Sequence, residues 1–488
     1  MDTQVDDIPQ GDAKSLSGSS PETIDDRALY RKIDVRIIPL LFMTYLMQVM
    51  DKTALNHANI MGLQEDLGLH GQQFNLLATA FYIAYSAAEF PQGCLLLKFP
   101  PTTVLGMNVL VWGVLTASTA ACRGFGSLLA VRILLGGFEA VITPALILIT
   151  SQWYTKREST PRYGLWHCGS GAGQILGGLV SFGAQHGSRT AALSGWRIMF
   201  LVVGLFNTII ASLILLFLPR TPETAPWLSD AEKKRIREKL TLDQAGTGRK
   251  VFQKTAFIEA LIFDLQVWII FFMTVLVTIP LGGLSTFSSA LIRGFGFDSK
   301  TTALLYIPSG VVSIIATLTC TYAILIDFPR GLGIIAGMVP TFIGAGLMSF
   351  YHGRGGLLAG IYLFNFIVGP VTLLYSLVGV NIQGYTKKVT TNAIVIAGYG
   401  IGSVIGPQTF LSREAPGFIT AKIIIFAASG GVIILAIMLR LLYGWRNRKR
   451  IKERQDELDA FHRGRINIQA LEKQDETDLQ NKTFVYVY

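Results

Sequence analysis

Hydrophobic residues run in blocks of about twenty along this chain, separated by short polar joints, and that rhythm predicts its elements. A helix rises about 1.5 Å per residue, so roughly 20 apolar residues cross the ~30 Å hydrocarbon core of a bilayer. Apolar blocks at residues 37–59, 75–97, 104–121, 128–150, 163–182 and 196–218 predict six crossings. Blocks at 266–291, 302–326, 332–350, 357–378, 389–408 and 419–443 predict six more. Between the two sets lies the longest interior polar stretch, 219–254, whose S-D-A-E-K-K-R-I-R-E-K-L run reads as a short charged helix begun by Ser229. That run is either a solvated face or a contact for anionic lipid or a partner. The expected architecture is an all-α membrane protein, twelve transmembrane helices in two pseudo-symmetric six-helix bundles, the plan of transporters built from two related halves. The fifth block, G-L-W-H-C-G-S-G-A-G-Q-I-L-G-G, and the eleventh, A-G-Y-G-I-G-S-V-I-G-P, are both dense in glycine and lie about 230 residues apart, as do the first and seventh.

Composition agrees with the pattern. Of 488 residues 51% are hydrophobic and only 15% charged, where a soluble domain carries about 25% charged residues. Fifty glycines suit helices that pack closely in lipid. Four scattered cysteines, Cys94, Cys122, Cys168 and Cys320, show no CxxC or His/Cys spacing, so neither a disulfide framework nor a metal site is expected. The net charge of +10 is uneven. Arg27, Arg31, Lys32 and Arg36 precede the first block, and W-R-N-R-K-R-I-K-E-R follows the last. Positive flanks favour the cytoplasm, which puts both termini inside and makes the number of crossings even. A basic total then reports topology, and no nucleic-acid partner is implied. Residues 1–26 are acidic and rich in Ser and Gly, a disordered tail rather than a signal peptide. The expected division is a tail at 1–29, a first bundle at 30–219, a cytoplasmic linker at 220–260, a second bundle at 261–445 and a second tail at 446–488.

Charge inside the lipid blocks marks the candidate chemistry. The first block reads I-I-P-L-L-F-M-T-Y-L-M-Q-V-M-D-K-T-A-L-N-H-A-N and carries Asp51 and Lys52 well into its length. An ionisable residue at that depth costs on the order of 3 kcal/mol and persists only beside a wet cavity or an opposite charge. The plainer alternative is a helix that stops at Met50, with Asp51 and Lys52 as an interfacial cap; but residues 37–50 are too short to span alone. In the fourth block, A-V-R-I-L-L-G-G-F-E-A-V-I-T-P, Arg132 and Glu139 are two turns apart and share one face. Glu139 is either half of a static ion pair or a carboxyl that takes up and releases a proton. Lys52 and Arg132 reach similar depths, which suits a cargo bearing a carboxylate, with Asp51 and Glu139 as their partners when the cavity is empty. His57 and His167 are structural or proton-relaying. In the second half the polar candidates are Tyr375, Asn392 and Tyr399, for cargo contact or helix–helix hydrogen bonding.

Several stretches carry a family resemblance: D-K-T-A-L-N-H-A-N-I-M-G-L-Q-E-D-L-G-L from Asp51, E-F-P-Q-G-C-L-L-L-K-F from Glu89, P-E-T-A-P-W-L-S, G-G-L-S-T-F-S-S-A-L-I-R-G-F-G-F from Gly282, and T-K-K-V-T-T-N-A-I-V-I-A-G-Y-G-I-G-S-V-I-G-P-Q from Thr386. Together they resemble the major facilitator superfamily, and within it the fungal allantoate-permease group of anion:cation symporters. The resemblance implies proton-coupled symport of a small organic anion, a vitamin, ureide or related metabolite, across the plasma membrane, by a monomer in the bilayer with no cofactor. It implies proton-coupling roles for Asp51 and Glu139, and substrate contacts from Lys52, Arg132, Tyr85 and Gln174. Lys52 stands where relatives have arginine and so loses the planar two-point grip on a carboxylate. Lys98 lies where the superfamily has a gating motif, eroded here to L-L-L-K-F-P-P. Against an enzyme stands the lack of a nucleophile–base pair or an H-E-x-x-H set. An exporter, an uncoupled facilitator and a nutrient-sensing receptor of transporter fold remain as alternatives.

Overall fold

The computed structural model describes residues 25–187, 193–244, 252–462, 477–481 and 484–487. The disordered tail expected at 1–26 lies almost wholly outside them.

Every long apolar block folds as helix. The first half contains α1 (Asp26–Ile60), α2 (Gln73–Lys98), α3 (Pro101–Ser118), α4 (Phe125–Glu139), α5 (Ile142–Trp153), α6 (Lys156–His167), α7 (Gly169–Gly187) and α8 (Gly195–Phe217). The linker helix is α9 (Asp230–Gln244). The second half contains α10 (Leu265–Gly294), α11 (Ser299–Leu305), α12 (Ile307–Leu325), α13 (Arg330–Phe350), α14 (Arg354–Phe364), α15 (Val368–Asn381), α16 (Tyr385–Gln408) and α17 (Ile419–His462). Joined end to end, α4 with α5, α6 with α7, α11 with α12 and α14 with α15 each make one crossing, which gives the two six-helix bundles. Among the described residues ten of these spans are apolar enough by composition to cross a membrane. The less apolar crossings, α2 and α6–α7, carry Tyr82, Tyr85, Glu89 and Gln174 toward the second half.

Helix α1 starts at Asp26, eleven residues before the apolar block at 37 and inside the tail expected at 1–29, and the fifth crossing starts at Lys156, seven residues before 163. Three further boundaries differ from the sequence expectation, each for a local reason. The fourth crossing breaks after Glu139 because Pro144 has no N–H to give and its ring disfavours helix on its N-terminal side, so α5 restarts with the proline in its first turn. The last helix runs past Tyr443 to His462, its first added turns tied to the chain end through Arg446 and Asn447. The end of the chain is also not merely a loose tail: Thr477–Asn481 and Phe484–Val487 fold back on the second bundle. At Ser229 the expected helix start holds, with the Ser229 amide donating to Glu232 Oε2 at 2.8 Å and the Glu232 amide to Ser229 Oγ at 3.2 Å.

Each half is clasped by charge at the end carrying the chain termini, here called the terminal end. In the first half, Arg162 grips Asp34 with Nε–Oδ1 at 2.7 Å and Nη2–Oδ2 at 2.8 Å, and Tyr154 donates to the same carboxylate at 2.7 Å. Helix α9 covers this clasp through Lys32–Glu232 at 2.8 Å and Lys239–Asp26 at 2.8 Å. The second half repeats the arrangement at the start of α10 and α16. The fully buried Lys387 ammonium meets Asp264 at 2.6 Å, Glu259 at 2.7 Å and Asp478 at 2.8 Å, and Arg446 reaches Asp264 at 2.8 Å. Here the returning chain end stands where α9 stands in the first half. It is held by two asparagine side chains, Asn447 and Asn381, each donating to the backbone carbonyl and accepting from the backbone N–H of one residue, Tyr486 and Val487 respectively.

At the opposite, distal end the two halves are tied to each other. Asn56 on α1 donates to Ser288 Oγ at 2.8 Å and accepts from the Ser289 amide at 2.8 Å, both on α10. Asn75 on α2 donates to the carbonyls of Pro407 and Phe410, and Gln408 to Thr79 at 2.6 Å. In mid-membrane α7 and α12 touch backbone to backbone, since a Cβ on Gly171 would land on the Gly310 carbonyl and one on Gly310 on the Gly171 carbonyl. The glycine density of the fifth block is explained there: it lets the halves meet. Gly310→Leu overpacks this conformation by about 1–3 kcal/mol. The expected result is a folded carrier whose distal seal opens more often, read as faster labelling of a cysteine placed at Ser288.

Candidate transport site

Helix α1 does not stop at Met50. It continues to Ile60, so Asp51 and Lys52 are mid-helix and not an interfacial cap. Lys52 extends its ammonium to within 3.1 Å of Glu139 Oε1, and the Glu139 side chain is wholly buried while that of Lys52 keeps 16% exposure. The attraction is charge to charge, since among the described residues neither Glu139 oxygen receives a hydrogen bond of good geometry. Lys52 also lies 4.9 Å from the centre of the Tyr85 ring on α2, a cation–π contact. Asp51 points the other way. Its Oδ1 accepts from Thr116 on α3 at 3.0 Å, while Oδ2 has no donor of good geometry.

Arg132 is buried and sits 5.7 Å from the Phe200 ring. Its strongest charged neighbour is Asp51, followed by Glu139, and among the described residues its Nε and Nη2 make no hydrogen bond. Four charges thus form a cluster in which the two carboxylates alternate with the two cations. Only Lys52 presents its charge to the space between the halves; Arg132 backs the cluster from behind. An unmet buried donor or acceptor costs about 1–3 kcal/mol, and this cluster retains several. Such a set is poised to change partners or protonation.

Across from Lys52, the second half supplies Tyr399 on α16, its ring centre 6.4 Å from that of Tyr85. Tyr375 on α15 is exposed, and its electrostatic neighbours are Tyr399, Tyr45 and Glu89, so it faces the central space and not lipid. Asn392 is also exposed and lies seven residues, two helical turns, before Tyr399, on the same face of α16 toward the terminal end. Gln174 spans the halves through Ser313 at 3.2 Å, its Oε1 unpaired. Tyr82 does so through Ser285 at 3.0 Å. His57 belongs to the distal seal, 3.4 Å from Ser289, and His167 pairs with the Tyr45 hydroxyl at 3.1 Å.

The geometry therefore gathers Asp51, Lys52, Arg132, Glu139 and Tyr85, with Tyr375, Asn392 and Gln174 on the surrounding walls. Lys98 is not among them. It is exposed at the far end of α2 and makes no ion pair among the described residues. Glu89 joins the site without having been among the sequence candidates: it lies one turn beyond Tyr85 on the same face of α2. Its spacing, Tyr82-x-x-Tyr85-x-x-x-Glu89, was the available signal.

The profile of the Major Facilitator Superfamily matches residues 41–407. The chain belongs to the major facilitator superfamily. Relatives narrow this to the fungal allantoate-permease group. The thiamine pathway transporter THI73 of Saccharomyces cerevisiae is 34% identical over 99% of this chain and 90% of its own length. The allantoate permease of the same yeast is 32% identical over 95% of this chain and 86% of its own length. An uncharacterized transporter of Schizosaccharomyces pombe is 34% identical over 96% of this chain and 90% of its own length. Among solved structures, a D-xylose–proton symporter superposes with a TM-score of 0.62 at 12% identity, over 83% of this chain and 97% of that one. An inward-facing, unoccupied bacterial homolog of the human lysosomal transporter Spinster gives 0.60 at 16%, over 84% and 96%. The facilitator fold is shared with both. This member of the superfamily is a transporter and not an enzyme.

Proposed function

We propose that this facilitator is a symporter that carries a small organic monoanion with protons, by alternating access, across the plasma membrane. The observation that carries the reading is the ion pair between the buried Glu139 carboxylate and the cavity-facing Lys52 at 3.1 Å. Protonation of Glu139 removes the charge that holds Lys52, and the freed ammonium then has an uncompensated charge for a cargo carboxylate to meet. Asp51 and Arg132 repeat the logic behind it: a proton on Asp51 leaves Arg132 to strengthen the positive field over the cavity. Tyr85, Tyr399, Tyr375, Gln174 and Asn392 provide ring faces and hydrogen-bond partners for the body of the cargo. Names among the relatives, allantoate permease above all, favour a small polar anion.

Both termini are assigned to the cytoplasm, from the Arg/Lys-rich flanks of α1 and α17. The distal seal then faces outward. The carrier works as a monomer, since the site is complete within one chain.

The test is uptake into proteoliposomes of a panel of labelled small carboxylates under an inward proton gradient. Accumulation of at least one member, collapsing on addition of a protonophore and lost in Lys52→Gln, is expected. Uptake indifferent to both the gradient and the membrane potential would overturn the symport reading in favour of a facilitator.

A further inference from the structure

Above the distal seal the halves part again and enclose about 570 Å³ of open space. Its floor is aromatic. Phe74 on α2 meets Phe287 on α10 edge to face with ring centres 5.4 Å apart, and Phe418 lies 5.7 Å from Phe287, so the floor is laid across the joint between the halves. Its rim is polar and includes Arg293 at the end of α10, Ser412 in the loop before α17, and Glu65 between α1 and α2.

The charges around this vestibule are unevenly spent. Asp66 accepts from Ser194 at 2.6 Å and from Trp196 at 2.8 Å, Asp298 caps α11 through the Thr301 amide, and Glu414 accepts from the Thr420 amide and hydroxyl. Arg293, in contrast, is exposed and among the described residues its guanidinium makes no hydrogen bond or ion pair, not even with Glu65 in the same cavity. A planar five-donor group left free over an apolar floor is the arrangement that receives a carboxylate whose remaining body is apolar or ring-like. Glu65 on the facing wall penalises a second negative charge, so the fit is to a monocarboxylate.

The geometry points to a second binding site in this vestibule, separate from the central one, in which Arg293 holds an organic monocarboxylate over Phe74, Phe287 and Phe418 before the seal opens. The order of use rests on the proposed anion transport; the site itself stands on the cavity and the unpaired arginine. A cargo seated there touches both halves at their moving joint, so it is positioned to enter as they part.

The experiment uses the full chain in nanodiscs, where both faces are reachable, in a Cys94→Ser background with Ser412→Cys as reporter. Modification rates are measured with the anionic sulfonatoethyl and the cationic trimethylammonium-ethyl methanethiosulfonates, and benzoate is the binding probe. The anionic-to-cationic rate ratio is expected to fall about fivefold in Arg293→Gln and to stay near the parent value in Arg293→Lys. Millimolar benzoate is expected to slow modification at position 412, to lose that effect in Arg293→Gln and to keep it in Lys52→Gln. An unchanged ratio in Arg293→Gln, no protection by benzoate, or protection that vanishes with Lys52→Gln would each overturn the vestibule site. The last result would show that the reporter senses only the central cavity. Failure of proton-driven uptake with benzoate protection intact would count against the symport reading alone and leave this site standing.

Discussion

Glu139→Gln is expected to abolish accumulation against a gradient while leaving exchange of cargo across the membrane intact. Glutamine has nearly the shape of a protonated carboxyl, so the variant is fixed in the state that frees Lys52. It should bind and rock, but no proton can be taken up on one side and released on the other. One pH unit is worth about 1.4 kcal/mol per proton, roughly tenfold accumulation in the parent, and this should fall to no accumulation at all. Counterflow in proteoliposomes, with and without an imposed pH gradient, measures both halves of the statement. Loss of counterflow together with accumulation would make Glu139 a structural ion-pair partner instead. The 16% exposure of Lys52 argues against a purely structural collapse, because the freed ammonium can hydrate.

Lys387→Met is expected to have the largest effect on stability. The substitution leaves Asp264, Glu259 and Asp478 converging on a site with no ammonium, and removing one partner of such a buried set costs about 3–5 kcal/mol. For a unit of this size that corresponds to a fall in melting temperature of roughly 10 °C, measurable in a thermal ramp of detergent-solubilised protein. Asp478→Asn should cost less, about 1–3 kcal/mol, because Lys387 keeps two carboxylates and the chain end keeps its bonds to Asn447 and Asn381. The acid limit of this clasp follows from Asp264. Burial raises its pKa, but the charges of Lys387 and Arg446 prevail and hold the carboxyl below its usual range. A depressed carboxylate contributes stability that is complete above its unfolded pKa, about 4, and is lost as pH falls through the lower folded value. The clasp is therefore expected to be unaffected between pH 8 and 5 and to weaken only below about 4, as read by hydrogen exchange of the Phe484–Val487 amides.

Much of this was legible in the residues. The twelve blocks, their division in two and the charged helix begun by Ser229 follow from the need to satisfy every backbone group inside lipid, which leaves helix as the form these blocks can take. Asp51, Lys52, Arg132 and Glu139 were legible for a related reason: charge in hydrocarbon is expensive enough to stand out against any apolar run. Glu89, eight residues inside the 75–97 block, was open to the same argument; what ties it to the site is its proximity to Lys52 and Tyr375, which lie on other helices.

The sequence by itself determined how many crossings there are, where most of them begin to within a few residues, and which charges must find company in the membrane, since each of these depends on a residue and its near neighbours along the chain. Only the tertiary structure decided the company. That Lys52 chooses Glu139, that Asp51 turns instead to Thr116 and Arg132, that the chain end returns to complete the Lys387 clasp, and that Arg293 is left unpaired among the described residues over an aromatic floor all join residues dozens to hundreds of positions apart. The physical reason is that a charge in lipid fixes the need for a partner but not its identity. Which partner is met depends on how the helices cross, and that is set by packing features such as the Gly171–Gly310 contact and the helix break at Pro144.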